Sequence, residues 1–384
     1  MDNKRKSKPL EGILVLEFCQ YLSGPSAGLR LADLGARVIK IENPNKGDLC
    51  RILPIKDQWV GDNSLLFHTI NRNKESYVAN LKSEMELESV IGLIAKADVL
   101  IHNFRPGVME KLGLSFDQLA DVNSSLVYAE ISGYGNHGPW IKKPGQDLLL
   151  QAISGLMYAS GDQGDAPTPF GLAIGDMLCG AHVVQAILAA LWHRIRKQKS
   201  IKIQVSLLES LIDFQFELFT TYFTSGDLPK RSATNNAHSL LAAPYGIYQT
   251  KDSYIALAMI PLEDLKGTLN CSTLMNYDQS MAFSKRDEIK TVLADFLIQQ
   301  NTEALMKNFK EKGIWATELK NWKKLKEELG YKQMELEQLI EIAKEKTIKT
   351  SRCPIRIDGE ILWGSSPAPD LGQHTDQIQK EFAL

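Results

Sequence analysis

The chain has 384 residues, 44% of them hydrophobic and 23% charged, so it can bury a large core and is long enough to predict two domains. Its net charge is only −2, and Lys and Arg are scattered rather than gathered into basic stripes, so we exclude a nucleic-acid partner. No stretch approaches eighteen unbroken apolar residues and no apolar core follows the basic N-terminus, so we expect neither a membrane association nor a signal peptide.

The cysteines and histidines predict a reduced protein without a metal. The five cysteines are odd in number and widely spaced, with no Cys-x-x-Cys pair, which is typical of a reducing cytosol and predicts a cytoplasmic location. The seven histidines show no HExxH motif and no other ligand spacing, so we expect no metal site. The cysteines are Cys19, Cys50, Cys179, Cys271 and Cys353.

The first third of the chain predicts alternating strands and helices. Residues 12–18 are mostly apolar and indicate a buried strand, residues 26–35 a helix closed by Gly35, and residues 37–42 a second strand. This βαβ pattern predicts an α/β fold with a doubly wound, Rossmann-like parallel sheet. Further strands are expected at 76–81, 99–103 and 126–131, with helices at 84–95 and 108–112.

One carboxylate, Asp176, stands between a short apolar run at 171–174 and a long apolar segment. We predict an extended segment, then Gly175 and Asp176, and then a buried helix over 177–193. An aspartate in that place caps the helix with its side chain, and a helix N-terminus also suits an anionic intermediate. The spacing alone favours the plain cap and leaves a catalytic role as the alternative.

The second half predicts a smaller α+β domain and a return to the first domain. The pattern indicates an apolar helix over 205–223, a hairpin from strands 245–249 and 254–259, a charged helical tract over 320–346 and a strand over 353–361. We therefore expect a large domain over 1–200, a small domain over 225–319, a return helix over 320–346, and a C-terminal part over 347–384 that completes the large domain.

The first strand–helix turn has some features of a dinucleotide site. Gly24 and Gly28 open the helix, and Glu42 ends the next strand. The GxGxxG spacing is absent, however, and Pro25 stands where the main chain would have to approach a pyrophosphate. We therefore expect no NAD.

Five separated segments, in one order along the chain, resemble the class III CoA-transferase family. Because the five occur together, the resemblance is far more specific than any one motif, and it places Asp176 of GLAIGDMLCG at the family's nucleophile. The segments are PLEGILVLEFCQYLSGPSAGLRLADLGARVIKIENPNKGD (9–48), NRNKESYVANLK (71–82), ADVLIHNFRPGVMEKLGLSFDQLADVNSSLVYAEISGYGNHGP (97–139), VSLLES (205–210) and SPAPDLGQHT (366–375).

The resemblance implies covalent catalysis by Asp176. In the family this carboxylate attacks an acyl-CoA to give a mixed anhydride, and the CoA thiolate then converts it to an aspartyl-CoA thioester. An ordinary aspartate titrates near pH ~3.9, so we expect Asp176 to be ionised at neutral pH without help. Gln146 and the main-chain N–H groups near Gly24 are our candidates to hold the oxyanion, and Asp147 to orient the site; a plain helix cap remains the alternative for Asp147.

The resemblance also implies CoA as a co-substrate, with no tightly bound cofactor. Two cations, Lys82 and Arg105, follow predicted strands and so lie where parallel sheets bind ligands, although each is also explained as an ordinary surface cation. Asn43 departs from the charged residue common in the family at that position. The implied CoA contacts are Leu22, Ser23, Asn43, Ala79, Asn80, Leu81, Lys82, Asn103, Phe104, Arg105, Lys111, Lys143, Gly145 and the neighbouring Pro144 and Gln146.

The expected partners are acyl-CoA, a small carboxylic acid and a second copy of the chain, since the family forms homodimers of two interlocked chains. One alternative is the related α-methylacyl-CoA racemase branch, which uses a Gly-His-Asp motif. Here the triplet is Gly145-Gln146-Asp147, and glutamine cannot carry a proton between acid and base forms. The other alternative is a non-catalytic CoA-binding protein, against which the presence of Asp176 argues.

Overall fold

The structure is a computed structural model that describes residues 7–197, 199–343, 346–364 and 366–384. The basic N-terminal residues 1–6 lie outside this description. The strands are β1 (Leu14–Phe18), β2 (Arg37–Glu42), β3 (Trp59–Val60), β4 (Asn63–Ser64), β5 (Lys74–Val78), β6 (Val99–His102), β7 (Val127–Ser132), β8 (Ile201–Ser206), β9 (Gly246–Gln249), β10 (Tyr254–Leu257), β11 (Ala316–Glu318), β12 (Glu337–Ala343), β13 (Lys346–Ser351), β14 (Arg356–Ile357) and β15 (Glu360–Ile361).

The described residues also form α-helices along the whole length of the chain. They are α1 (Ser23–Asp33), α2 (Leu65–Ile70), α3 (Glu84–Ile94), α4 (Val108–Lys111), α5 (Phe116–Val122), α6 (Asp147–Ile153), α7 (Ile174–Lys197), α8 (Leu207–Phe214), α9 (Phe216–Ser225), α10 (Leu262–Thr268), α11 (Arg286–Leu297), α12 (Thr302–Lys312), α13 (Trp322–Glu327), α14 (Leu329–Gln333) and α15 (Thr375–Phe382).

The described residues fall into two compact units. The first contains the residues up to Leu150, Ala173–Phe214 and Met334–Leu384, and the second contains Gln151–Leu172 and Gln215–Gln333. Residues 151–172, which we expected to continue the large domain, thus belong to the second unit.

The first unit is built on a six-stranded parallel sheet in the order β5-β2-β1-β6-β7-β8. The predicted α/β fold with a parallel sheet is therefore confirmed. The chain builds outward from β1 through β2 to β5 and then crosses to β6 on the other side of β1. This reversal makes the carboxyl ends of β1 and β6 the place where an open α/β sheet binds ligands.

The two faces of the sheet carry different partners because side chains alternate along each strand. Leu14, Leu16 and Phe18 of β1 point into an apolar core shared with α3, α5 and α15, to which Leu93, Leu119 and Ile378 contribute. On the opposite face α1 packs against the sheet and against α7. The C-terminal helix α15 is tied to β5, where the His374 N–H donates to the Ser76 carbonyl oxygen at 3.1 Å.

Helix α7 is the longest helix in the described part of the chain, with 24 residues. By length and composition alone it is apolar enough to cross a membrane, as core helices of soluble proteins also are. Its Cys179, Val183 and Ile187 are fully buried, and it packs against α1, α8, β7 and β8.

The second unit contains the antiparallel sheet β11-β10-β9. The predicted hairpin at 245–259 is confirmed, since Tyr254–Leu257 pairs with Gly246–Gln249. Tyr248 and Ile255 of this sheet pack with apolar residues of α10, α11 and α12 in a separate core.

The predicted helix over 205–223 was wrong at its start. Residues up to Ser206 form β8, which pairs with β7, and the helical part is divided between α8 and α9. The alternation of Ile201, Ile203 and Val205 with polar residues is a strand signal that the apolar pattern downstream obscured.

The predicted return helix over 320–346 was also wrong. Only α13 and α14 are helical there, and Glu337–Ala343 is a strand paired with Lys346–Ser351. Residues 344–345 of that predicted helix lie outside the described residues. The expected strand over 353–361 is instead the short β14–β15 hairpin, and in the described chain no C-terminal strand joins the six-stranded sheet. A β-branched pattern, with Ile340 and Ile348 turned inward, outweighs the helical propensity of the many Lys and Glu residues.

Candidate active site

The residues expected to contact CoA lie at one edge of the six-stranded sheet. Leu22 and Ser23 follow β1, Asn43 follows β2, residues 79–82 follow β5, and residues 103–105 follow β6. Carboxyl ends of parallel strands meet at the same edge, so the fold gathers these segments from four separate places in the sequence. Lys111 ends α4, and Lys143 and Gly145 lie in the loop between β7 and α6.

These residues differ in what their side chains do. Lys82, Arg105, Lys111 and Lys143 are exposed cations. Ala79 is buried, and Phe104 and Leu81 pack against the apolar core. Leu22 packs on a small cluster around Phe67.

Two of the remaining polar members, Asn43 and Asn80, accept local hydrogen bonds. Oδ1 of Asn43 accepts hydrogen bonds from the N–H groups of Asn45 and Lys46, at 2.9 and 3.2 Å. Oδ1 of Asn80 accepts one from the Lys82 N–H at 3.2 Å. These side chains therefore shape the turns that follow β2 and β5.

Asp176 lies in the first turn of α7 and is not its cap, which corrects the predicted start of this helix at 177. The main-chain N–H of Asp176 donates a hydrogen bond to Oδ1 of Asp147 at 3.0 Å. Asp147 is the first residue of α6 and is buried. Through this hydrogen bond its carboxylate pairs with one of the N–H groups that have no partner within α7. Because Asp147 accepts this hydrogen bond, the side chain of Asp176 is not needed to cap the helix.

The ionisation of Asp176 differs from our expectation. Burial, together with the negative charge of Asp147, raises the pKa of Asp176 to about 7. At pH 7 the carboxyl of Asp176 is therefore protonated in a larger fraction of molecules than that of an ordinary aspartate, which is almost fully ionised.

A glycine allows the two aspartates to approach each other. A Cβ atom at Gly175 would lie 2.9 Å from Oδ1 of Asp147, so that this oxygen would have to shift, and 3.2 Å from Cδ1 of Leu211, which is a tight contact. The glycine before Asp176 is therefore needed so that the carboxylate of Asp147 can reach the main chain of α7.

A second pair of glycines fixes the approach of Gln146 and Asp147. Gly133 follows β7, and a Cβ atom there would lie 2.6 Å from the Cα atom of Gly145. The main chains of these two glycines are thus in direct contact, and the intervening residues form a closed loop. Gln146, which is exposed, and Asp147 directly follow Gly145. The contact between Gly145 and Gly133 therefore fixes the position of these two residues relative to the end of β7.

The glycines of the apparent dinucleotide turn serve packing. A Cβ atom at Gly28 would overlap the carboxylate of Glu17, and one at Gly24 would overlap the side chain of Cys19. Glu17 is fully buried and pairs with Lys40 at 2.8 Å and with Lys74 at 2.7 Å. Both glycines therefore let α1 lie directly over a buried group of charges.

A model of CoA-transferase family III matches residues 10–375. The chain belongs to this family. An acetyl-CoA:oxalate CoA-transferase from Acetobacter aceti is 39% identical over 64% of this chain and 61% of that protein. A succinate–glutarate CoA-transferase from Agrobacterium fabrum is 30% identical over 99% of this chain and 97% of that protein. The human succinyl-CoA:glutarate CoA-transferase is 29% identical over 97% and 86% of the two chains.

Solved structures agree with this family III assignment. A CaiB/BaiF family protein from Brucella suis superimposes with a TM-score of 0.84 and 28% identity, covering 98% of this chain and 100% of that one. Rv3272 from Mycobacterium tuberculosis gives a TM-score of 0.82 and 26% identity, with 96% and 99% covered. The protein is therefore a class III CoA-transferase.

The packing roles of several residues of this candidate site were missed from the sequence. Gly175 and the pair Gly133 and Gly145 act through close main-chain approach, which leaves no pattern in a single sequence. The buried charges did leave a signal, since Glu17 and Lys40 each interrupt an apolar strand. A charge inside a buried strand requires a partner of opposite sign.

Proposed function

We propose that this enzyme transfers CoA between small organic acids with Asp176 as the nucleophile. The observation that carries the proposal is the half-buried carboxylate of Asp176 in the first turn of α7, with Asp147 rather than Asp176 bonded to the helix N–H group. The names of the relatives from Acetobacter aceti and Agrobacterium fabrum, which act on oxalate, succinate and glutarate, support small mono- or dicarboxylic acids as substrates.

In the first half of the reaction, CoA passes from the donor acid to the enzyme. The carboxylate of Asp176 attacks the carbonyl carbon of the donor acyl-CoA, the C–S bond breaks, and a mixed anhydride and CoA thiolate result. The thiolate then attacks the Asp176 carbonyl carbon of the anhydride. An aspartyl-CoA thioester forms, and the donor acid leaves as its carboxylate.

The second half reverses these steps with the acceptor. The acceptor carboxylate attacks the aspartyl thioester and expels the thiolate, which gives a second mixed anhydride. Attack of the thiolate on the acceptor acyl carbon gives the new acyl-CoA and restores the carboxylate of Asp176. No proton is gained or lost overall, so the site needs no general base.

Each step passes through a tetrahedral oxyanion, which requires hydrogen-bond donors that are already in place. The exposed carboxamide of Gln146 and the N–H groups at the start of α1, near Gly24, are our candidates. Asp147 acts by raising the basicity of Asp176, because a more basic carboxylate is a stronger nucleophile.

The CoA moiety fits the edge of the sheet at the ends of β1, β2, β5 and β6. The exposed cations Lys82, Arg105, Lys111 and Lys143 have the charge needed for its phosphates. The family resemblance implies further contacts at the two polar turns of Asn43 and Asn80. The remaining implied contacts are the segment Ala79–Leu81 and the residues Leu22, Ser23 and Phe104.

We also propose an interlocked homodimer in the cytoplasm. Leu188, Trp192 and Ile195 lie on one side of α7, and 38%, 61% and 73% of their respective surfaces are exposed. An apolar stripe of this kind on a single chain is typical of a protein interface. All five cysteines are free and buried, in agreement with a reducing compartment.

Trapping of the acyl intermediate tests the nucleophile. Hydroxylamine added during turnover should convert Asp176 to a hydroxamate, which peptide mass analysis locates. Asp176→Ala should abolish both transfer and labelling. The control is Asp117→Ala, since Asp117 is also an aspartate in the first turn of a helix but is exposed on α5.

A label on another peptide, or near-normal transfer by Asp176→Ala, would contradict the assignment. Acyl-CoA donors such as acetyl-CoA and succinyl-CoA, each tested against oxalate, succinate and glutarate with mass-spectrometric detection, identify the substrate pair. Failure of every pair, with an intact CoA-binding signal, would favour the non-catalytic alternative.

A further inference from the structure

The loop that joins β1 to α1 is held by a side chain from the neighbouring strand. Oδ1 of Asn103 accepts a hydrogen bond from the Gln20 N–H at 2.9 Å, and Nδ2 of Asn103 donates one to the Gln20 carbonyl oxygen at 2.7 Å. One carboxamide thus satisfies both main-chain groups of Gln20. Asn103 directly follows β6 and Gln20 lies two residues after β1, where the strand order reverses.

Two buried charges hold the same loop on either side of Gln20. Nζ of Lys40 donates to the Cys19 carbonyl oxygen at 2.7 Å, and Oδ1 of Asp48 accepts from the Tyr21 N–H at 3.0 Å. Lys40 and Asp48 form an ion pair at 2.8 Å with no exposed side-chain surface. The main chain is therefore fixed at three consecutive residues, and Tyr21 takes a left-handed conformation with φ 65°.

Helix α1 connects this loop to the start of α7, where Asp176 lies. The loop leads into Ser23, the first residue of α1, whose carbonyl oxygen would lie 2.9 Å from a Cβ atom at Gly180. Gly180 is one helical turn after Asp176 on α7, so the first turn of α1 and the start of α7 are in direct contact. A shift of Gln20 therefore changes the distance between the N–H groups of α1 and Asp176.

We propose that Asn103 is a positioning residue for CoA transfer, which holds the first turn of α1 against α7 through the main chain of Gln20, and is not a ligand of CoA. The inference rests on the proposed function. It differs from the family-based expectation that Asn103 contacts CoA, because both polar atoms of its side chain are already bonded to Gln20.

The test compares two asparagines that hold main-chain groups in the same unit. Asn103→Leu removes both bonds to Gln20 with little change in size. The matched control is Asn123→Leu, since Nδ2 of Asn123 donates to the carbonyl oxygens of Ile94 and Ala97 at 2.9 and 2.7 Å. For each variant we would measure kcat for transfer, the Kd of free CoA by calorimetry, the melting temperature, and hydrogen exchange of a peptide covering residues 14–30.

We expect Asn103→Leu to lower kcat by roughly 10- to 100-fold, because a small displacement of reacting groups is enough for such a loss. The Kd of CoA should change less than about threefold, since the substitution removes no contact between the Asn103 side chain and CoA. Exchange in residues 14–30 should accelerate. Asn123→Leu should lower the melting temperature and leave kcat unchanged. If Asn103→Leu does not fold, Asn103→Ser, which also loses both bonds at this half-buried position, takes its place.

A CoA Kd that weakens tenfold or more with unchanged kcat would make Asn103 a CoA ligand and overturn the proposal. An equal loss of kcat in the Asn123 variant at equal melting temperature would show a general structural effect and overturn it too. The proposed function is judged separately, from the transfer rate and the Asp176 label of the unmodified enzyme, whereas the inference is judged from the ratios between variants.

Discussion

The main-chain N–H of Asp176 is bonded to the carboxylate of Asp147 at 3.0 Å, so two acidic side chains meet at the start of one helix. This hydrogen bond holds the carboxylate of Asp147 close to Asp176, and its negative charge adds to burial in raising the pKa of Asp176 to about 7. The same contact that shapes the start of α7 thus also affects the protonation of Asp176, the proposed nucleophile.

The rate of transfer should depend on pH through Asp176. Only the carboxylate form attacks a thioester, so kcat should rise as the pH increases through about 7 and level off above it. Asp147→Asn keeps an oxygen to accept the hydrogen bond and removes the charge, so the rise should move to lower pH. A pH–rate profile between pH 5 and 9 measures both; an unmoved profile in the variant would exclude a role for the Asp147 charge.

The ionisation of Asp176 should also lower the stability of the fold. Its pKa is about 7 in the folded protein against 3.8 as the ordinary value, so folding favours the protonated form. The penalty is absent below about pH 4, grows up to about pH 7, and is constant above that. Asp176→Asn removes the charge and should therefore stabilise the inactive protein at pH 8, but not at pH 4.

The size of this effect follows from the pKa shift. One pKa unit corresponds to about 1.4 kcal/mol, and solvent at the half-buried carboxylate reduces the full value, so we expect about 2 kcal/mol at pH 8. Urea unfolding of both proteins at the two pH values gives the difference directly. Equal stabilities at pH 8, or stabilisation of the same size at pH 4, would show that Asp176 has an ordinary pKa.

Gly175→Ala should reduce transfer by displacing Asp147. The added Cβ atom would lie 2.9 Å from its carboxylate oxygen, so the bond to the Asp176 N–H has to lengthen. We expect a loss of roughly 10- to 100-fold in kcat. The matched control is Gly267→Ala in α10, where the added atom meets open space; it should keep the rate and gain about 0.5 to 1 kcal/mol of helix stability. Normal kinetics of Gly175→Ala would show that the close approach is dispensable.

The enzyme should not exchange the α hydrogen of its substrate. Gln146 replaces the histidine that the racemase branch uses as a base, and an amide does not carry protons between two sites. A chiral 2-methylacyl-CoA incubated in deuterated water without an acceptor acid should therefore keep both its configuration and its hydrogen, as followed by mass spectrometry. Rapid deuteration at the α carbon would reverse the choice between transferase and racemase.

The proposed interlocked dimer should not exchange subunits. Two populations with different tags, mixed under native conditions, should give no mixed dimers over days, because separation requires unfolding of the chains. Mixed dimers should appear only after denaturation and refolding, as measured by native mass spectrometry. Mixed dimers within minutes would indicate a simple surface contact, and a monomeric mass in light scattering would exclude the dimer itself.

The parts of the fold that the sequence predicted well are those with local periodicity. The buried strands β1 and β2, the helix between them and the β9–β10 hairpin each carry a complete pattern within a few residues. The strand β8 and the β12–β13 pair were missed because their residues are rich in Lys, Gln and Glu. Strand β8 pairs with the distant β7, whereas β12 and β13 pair with each other.

The candidate site shows the same division. Asp176, Gln146 and Asp147 were found because they belong to motifs, but the raised pKa of Asp176 depends on burial and on a residue 29 positions away. The dual bond between Asn103 and Gln20 joins residues 83 positions apart. Such relationships arise only when the sheet is assembled, and a single sequence contains no pattern that reveals them.

The contact between Gly133 and Gly145 has a consequence for how this enzyme can diversify. The chain leaves β7 and comes back to the same point before α6, so the residues between them form an insert whose two ends are fixed. Lengthening, shortening or exchanging that insert leaves Asp147 in place, provided that both glycines are kept. Laboratory evolution can therefore vary residues 134–142 as a cassette while the proposed CoA contacts at Lys143 and Pro144 are kept, and so alter what the exterior of the enzyme recognises.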